Sequence, residues 1–324
     1  MWQEMSAGEC ARERFGLRRW AHESIDRVGA LVGGLVYRRS KLFNQSLEAP
    51  ALDEAIRQTT ASVGSLQPGV WHESTAKGPA GTLTAAYYVH RWLGDSCPTI
   101  LYIHGSGEQP YKFGRFNDNS FAKIFDKHFD EPVNLVLIAA PFHEGAQGAY
   151  IQALGHMKNY VGMLAATTAL LHSLAEQVRA HGSPAVYAAG FSLGGWVANL
   201  HRAFFGHSVD RYIPMCAGAR LDSIFAASAY KRLVCPEAVG SPELLRRLLN
   251  FDEQFRASSI DCRPLLFRFD RFLETEVHMP SYEGMEVAIL EKGHFTGQQA
   301  IREMREHIVG SVTPNPLDSR TAGG

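Results

Sequence analysis

The 324-residue chain carries few of the marks that assign a protein to a function class by composition. Its 32 basic and 33 acidic side chains leave a formal charge of −1, so the charge balance gives no case for nucleic acid or another polyanion as partner. Its five cysteines (Cys10, Cys97, Cys216, Cys235 and Cys262) are odd in number and widely scattered. With no C-x-x-C pair and no disulfide framework, they suggest a reducing, cytoplasmic setting. No apolar h-region follows Met1, so a secretory signal is not expected. The longest membrane candidate, Val28–Tyr37, is too short and too glycine-rich to span a bilayer, so membrane integration is not expected. Repeats and low-complexity segments are missing as well. There is no H-E-x-x-H, no Walker A loop and no convincing metal spacing, and Gly29–Gly34 lies in a helical pattern rather than after a strand. Neither a metal nor an organic cofactor is therefore expected.

What the chain does have is a regular alternation. Hydrophobic residues make up 45% of it, enough for a substantial core. Val70–Ser74 and Leu83–Trp92 read as strands joined through Gly78, Pro79 and Gly81. Thr99–His104, Asn134–Ala139 and Ala185–Ala189 are unbroken apolar runs typical of parallel strands covered on both faces. Arg211–Met215, Leu265–Phe269 and Glu286–Leu290 continue the series more weakly, and helical patterns at Asn159–Ala180, Leu193–Phe205 and Gln298–Ile308 separate the runs. The expectation is an α/β fold, a mostly parallel central sheet with helices on both faces. It would occupy residues 70–312, preceded by an N-terminal helical extension (1–69) packed on the core and followed by a loose tail (313–324). The stretch 217–263 is longer than one crossover helix needs.

Within the extension, Leu17–Phe43 reads as a helix in which Arg18, Arg19, Arg27, Arg38, Arg39 and Lys41 sit among Trp20, Ile25, Val28, Leu31, Leu35 and Val36. A membrane-surface or partner-binding helix is one reading. The preferred reading is a helix packed on the domain with a solvated basic face, because His22, Glu23 and Asp26 dilute the charge.

The chemistry-bearing stretch is Ala185–Val197. A short apolar strand runs into Gly190-Phe191-Ser192-Leu193-Gly194 and then into a helix. A serine at the apex of a sharp strand-to-helix turn is a nucleophile elbow. Its backbone is pressed against both elements, so the residues two places either side must lack a Cβ. The turn also leaves the Leu193 N–H at a helix start, where a developing anion is favoured. Two further signals stand at strand ends: His104-Gly105-Ser106-Gly107 after Thr99–His104, and Glu291-Lys292-Gly293-His294-Phe295 near the C-terminus.

With these three motifs in this order, the chain resembles the α/β-hydrolase superfamily over about Val70–Ile308. The resemblance implies Ser192 as nucleophile and His294 as general base, since a serine hydroxyl is weak until an imidazole takes its proton. It implies an oxyanion hole from the N–H groups of Ser106 and Leu193, with Gly107 an alternative to Ser106. It makes 217–263 a small helical cap, with loops at Gly107–Ser120 and Pro141–Tyr150 as the other pocket walls. The acid is where the chain departs from the pattern, because the usual G-x-x-D loop is missing after Phe269. Glu274 is the preferred candidate, and Asp222, Asp270 and Glu276 stay open.

The expected activity is hydrolysis of an ester or thioester through a covalent acyl-enzyme. The same residues also serve amide or C–C cleavage and acyl transfer, and a catalytically silent binding module on this fold is the alternative from another class. Phe113, Phe116, Phe142 and Tyr150 in the pocket loops hint at a small-molecule substrate with a hydrophobic acyl or aromatic group.

Overall fold

A computed structural model describes residues 7–114 and 117–313, with side chains from Phe15 onward. The side chain of Cys10, Phe116 and residues 314–324 of the expected tail lie outside the described residues.

The apolar runs become the centre of one ten-stranded sheet. In chain order the strands are β1 (Thr60–Ala61), β2 (Trp71–Gly78), β3 (Gly81–Arg91), β4 (Thr99–Ile103), β5 (Asn134–Ala139), β6 (Val186–Phe191), β7 (Arg211–Met215), β8 (Asp261–Cys262), β9 (Leu265–Phe267) and β10 (Ala288–Leu290). Their spatial order is β1-β2-β3-β5-β4-β6-β7-β9-β10, with β8 alongside β7. β1, β2, β3 and β5 pair antiparallel, whereas every pairing from β5 through β4 to β10 is parallel. β4 and β5 are buried along their whole length. Strands of that kind must be covered on both faces. Burying an aliphatic side chain such as Ile100 or Leu101 contributes roughly 1.5–3 kcal/mol.

The cover comes from helices placed as crossovers. α1 (Ala7–Val36) and α2 (Leu52–Gln58) precede the sheet; α3 (Ser120–Ile124), α4 (Gln147–Ala153), α5 (Met157–Ala180) and α6 (Leu193–Phe204) connect its central strands. α7 (Leu221–Ala226), α8 (Pro236–Val239), α9 (Pro242–Leu249) and α10 (Asp252–Ala257) fill the long connection between β7 and β8. α11 (Thr275–His278), α12 (His294–Gly297) and α13 (Ile301–Val312) complete the chain. α5 packs on α2, on α6 and across the middle strands, and α13 packs on α3.

The expected strand Leu265–Phe269 stops at Phe267, and the expected helix Leu17–Phe43 runs from Ala7 to Val36. That helix lies on the body in an unusual way. Its apolar residues face outward, and Trp20 and Leu17 are both 68% exposed. The side against the body is polar or small: Asp26 and Ala30 are fully buried, and Gly29 lies so close to Phe295 that a Cβ would come within 2.2 Å of the ring.

Winding outward from β4 in both directions leaves a crevice beyond the carboxyl ends of the parallel strands, the general place for a site in such a sheet. His104, Ser192, Cys216, Asp270 and His294 all follow strands at that edge.

Candidate active site

The elbow is built from steric necessity. Ser192 has φ 50° and ψ −108°, a conformation that side chains rarely adopt. Its N–H is fixed to Met215 O at 2.8 Å. A Cβ on Gly190 would lie 2.3 Å from the Gly194 carbonyl carbon, and one on Gly194 would lie 2.0 Å from Ile103 O. Only glycine permits that approach, which presses the start of α6 onto β4 and β6. Two other residues at this edge of the sheet, Phe142 and Cys216, also have positive φ (72° and 55°). Strain of this kind is held only where the surroundings over-determine it.

His294 opens α12, just past β10. Its Nδ1 meets Asp270 Oδ2 at 2.8 Å, and the Asp270 side chain is fully buried. Asp270 Oδ1 accepts from the N–H groups of Phe272 and Leu273, both at 2.7 Å, which locks the carboxylate in an Asx turn. Cys216 Sγ donates to Asp270 Oδ2 at 3.1 Å. Burial and the charge of Asp270 push that thiol well above its usual range. Cys216, Asp270 and His294 bring three possible ligand atoms within 4.8 Å of one another. In this structure the three are joined as a hydrogen-bonded set, the thiol and the imidazole both meeting Asp270 Oδ2.

The carboxylate beside His294 is therefore Asp270, and the preference for Glu274 is corrected. Glu274 instead pairs with Arg271 at 3.0 Å at the head of α11. Asp222 accepts from Asn250 at 2.7 Å within the long connection, and Glu276 is exposed. The reason is the early end of β9: Phe267 is its last residue, and Asp270 stands in the turn that follows.

A second carboxylate, missed by sequence reasoning, reaches this centre from α1. Asp26 Oδ2 accepts from the N–H groups of His294 (2.8 Å) and Arg271 (3.0 Å), and Oδ1 accepts from Phe295 (3.1 Å). One side chain thus ties together the two loops that carry His294 and Asp270. Burial, then the charge of Asp270, raises the Asp26 pKa against the pull of these N–H groups. For His294, burial pushes the pKa down, but the charges of Asp270 and Asp26 and the hydrogen bond to Asp270 outweigh it, and the net direction is upward.

On the opposite wall, the Leu193 N–H heads α6 without an intrahelical acceptor, as first-turn donors do. Ser106 N–H also has no acceptor among the described residues, whereas Gly107 N–H donates to His143 Nε2 at 3.3 Å. Of the two N–H groups weighed in this loop, Ser106 is the one left available. The loop is braced by buried groups. Glu108 accepts from Gly105 N–H at 2.9 Å and from Ser120 N–H at 2.7 Å, and burial raises its pKa to about 7. His104 Nε2 accepts from Ala140 N–H at 3.1 Å. His143 donates from Nδ1 to Pro141 O at 3.0 Å, and burial lowers its pKa to about 4. Both rings are held neutral and act as fixed spacers.

Among solved structures, the chain is similar to an acylaminoacyl peptidase of Pyrococcus horikoshii, with a TM-score of 0.50 and 12% identity over 75% of this chain and 41% of that one. The fold is that of the α/β-hydrolases. The chain spans less than half of that peptidase's length. It is also similar to acetyl xylan esterase 1 of Thermoanaerobacterium sp. JW/SL YS485, at a TM-score of 0.49, 16% identity, and coverage of 82% of this chain and 96% of that one. Est1E from Butyrivibrio proteoclasticus gives a TM-score of 0.46 at 11% identity over 71% and 95% of the two chains. No protein-family model matches the chain, and no curated protein does.

In this α/β-hydrolase fold, Ser192 and His294 line one cavity of about 290 Å3, together with Ser106 and Leu193. Among the described residues Ser192 Oγ makes no hydrogen bond to His294, a contact that often tightens only when substrate is present. The cavity wall is largely apolar, with Trp196, Ile224, Leu233, Phe272 and Met304 among its residues. Of the pocket aromatics expected from sequence, Tyr150 lines it, and its hydroxyl is 2.6 Å from Ser106 Oγ. Phe113 instead packs beside Tyr88 and His90, and Phe142 lies outside the lining. The unexpected wall is α1, which contributes Gly29 and Gly33, with Tyr37 just beyond its end.

Proposed function

We propose that the chain is a serine hydrolase that cleaves a carboxylic ester or thioester with an apolar acyl group. The observation that carries this reading is the His294–Asp270 hydrogen bond, formed at the edge of the sheet where a strained Ser192 opens into the same apolar cavity. Ser192 Oγ attacks the substrate carbonyl while His294 Nε2 takes its proton. The negative charge on the former carbonyl oxygen is met by the N–H groups of Ser106 and Leu193. The tetrahedral centre collapses to an acyl-Ser192 as His294 passes its proton to the departing alkoxide or thiolate. Water, deprotonated by the same imidazole, then releases the acid and restores the serine. Asp270 holds the ring by Nδ1 and stabilises the imidazolium between the two transfers.

The segment 217–263, whose Ile224 and Leu233 line the cavity, acts in this reading as a cap that limits water and selects the acyl group. The test is a fluorophosphonate probe together with turnover of short p-nitrophenyl esters. Labelling and turnover that vanish in Ser192→Ala, with the melting temperature preserved, support the reading. Folded wild-type protein that neither labels nor turns over any ester or thioester rejects it in favour of a binding module.

A further inference from the structure

The outer side of α1 differs from the rest of the described surface. Leu17, Trp20, Val28, Leu31, Val32 and Leu35 are between 49% and 68% exposed. At about 100° per residue they fall within a sector of roughly 120°, a continuous stripe about 30 Å long. Elsewhere among the described residues, large exposed apolar side chains occur singly, at Val70, Leu93 and Phe113. Scattered ones are ordinary, whereas a contiguous stripe marks an interaction surface.

Charge identifies what the stripe meets. Arg18 and Arg27 flank it on opposite edges, with side chains 71% and 59% exposed, Arg18 lying 4.0 Å from Glu291 and Arg27 paired with Glu23 at 3.0 Å. Arg38 and Arg39, both exposed, follow its C-terminal end. The stripe itself holds no acidic residue, because Glu23 and Asp26 are buried on the inner side. An anionic bilayer takes both features at once, apolar residues into the acyl boundary and arginines among the headgroups. Since no helix among the described residues is long and apolar enough to cross a membrane, α1 would lie in the plane of the interface.

The geometry points to the outer face of α1 as a docking surface for an anionic lipid bilayer. The inner face of the same helix lines the cavity through Gly29 and Gly33, so a docked molecule holds its cavity against the lipid surface. The inference stands on exposure and charge and does not depend on the hydrolytic reading.

The test is flotation of the full chain with vesicles of phosphatidylcholine alone or mixed with phosphatidylglycerol. The wild type is expected to float with the anionic vesicles and to be released by salt. Arg38→Gln with Arg39→Gln should weaken partitioning about 30-fold, from roughly fivefold for each basic residue lost. Leu31→Asn with Leu35→Asn should lose flotation while keeping the far-ultraviolet circular dichroism and the melting temperature, because both side chains are exposed. Wild-type protein that fails to float, or floats equally on both vesicle types, overturns the proposal. So does a wild-type dimer that the Leu31→Asn, Leu35→Asn pair converts to monomer, which assigns the face to a second copy.

Discussion

Replacing Asp26 by asparagine separates a helix that is part of the catalytic apparatus from one that merely leans on it. The carboxylate accepts three backbone N–H groups, two on Oδ2 and one on Oδ1. An asparagine has one acceptor oxygen, so the best rotamer keeps the His294 and Arg271 bonds and turns an NH2 toward the Phe295 N–H. A hydrogen bond to a charged group contributes about 1.5–3 kcal/mol net, and a neutral one about 1. One bond lost and two weakened then cost about 2.5–7 kcal/mol. For a chain of this size, whose unfolding entropy is about 0.7 kcal/mol/K, that lowers Tm by about 4–10 °C. The variant should also change chemistry, since the charge of Asp26 helps to raise the His294 pKa. The pH at which kcat/KM reaches half its plateau should move down, while a loosened histidine loop lowers the plateau by up to about 100-fold. Calorimetry and a pH–rate profile on a short-chain ester read both effects. An unchanged Tm together with a superimposable profile would refute the reasoning.

Asp270→Asn should lower kcat about 10⁴-fold with substrate binding retained, whereas Glu274→Gln should stay within a few-fold of wild type, since its partner is Arg271; steady-state kinetics on the same ester distinguishes them. In the wild type, kcat/KM should rise with pH through a pKa above the ordinary 6.5 of histidine, because the general base must be neutral and its protonated form is favoured here. Gly194→Ala should fail to accumulate as folded protein, because its methyl group would sit 2.0 Å from the Ile103 carbonyl oxygen; soluble yield and circular dichroism report this.

The parts of this site that were legible in the sequence are those with local causes. The elbow is steric and spans five residues, so G-F-S-L-G carries its own geometry. His294 was readable because it follows a strand. The carboxylate that meets His294 was not, because counting began at Phe269, whereas the buried strand ends at Phe267 and Arg268 already breaks the apolar run. From that point Asp270 stands in the first turn, where a short carboxylate can accept the next N–H groups. Asp26 read as a charge diluting a basic face. Its signal was a missing local partner: Glu23 has Arg19 and Arg27 four residues away on either side, with which it pairs. Asp26 has His22 and Ala30 at those positions and finds its partners far along the chain. The pattern showed that Trp20, Val28, Leu31 and Leu35 belong to one helix but could not say which face the body would cover, because glycine, alanine and a buried carboxylate form the inner contact.

The bond between Asp26 and the His294 amide joins residues 268 positions apart. A nascent polypeptide still on the ribosome carries the elbow long before it carries the imidazole, and the helix waits for a loop made far behind it. In the hydrolytic reading, a chain whose synthesis stops anywhere between Ser192 and His294 is inert however well its central strands have folded.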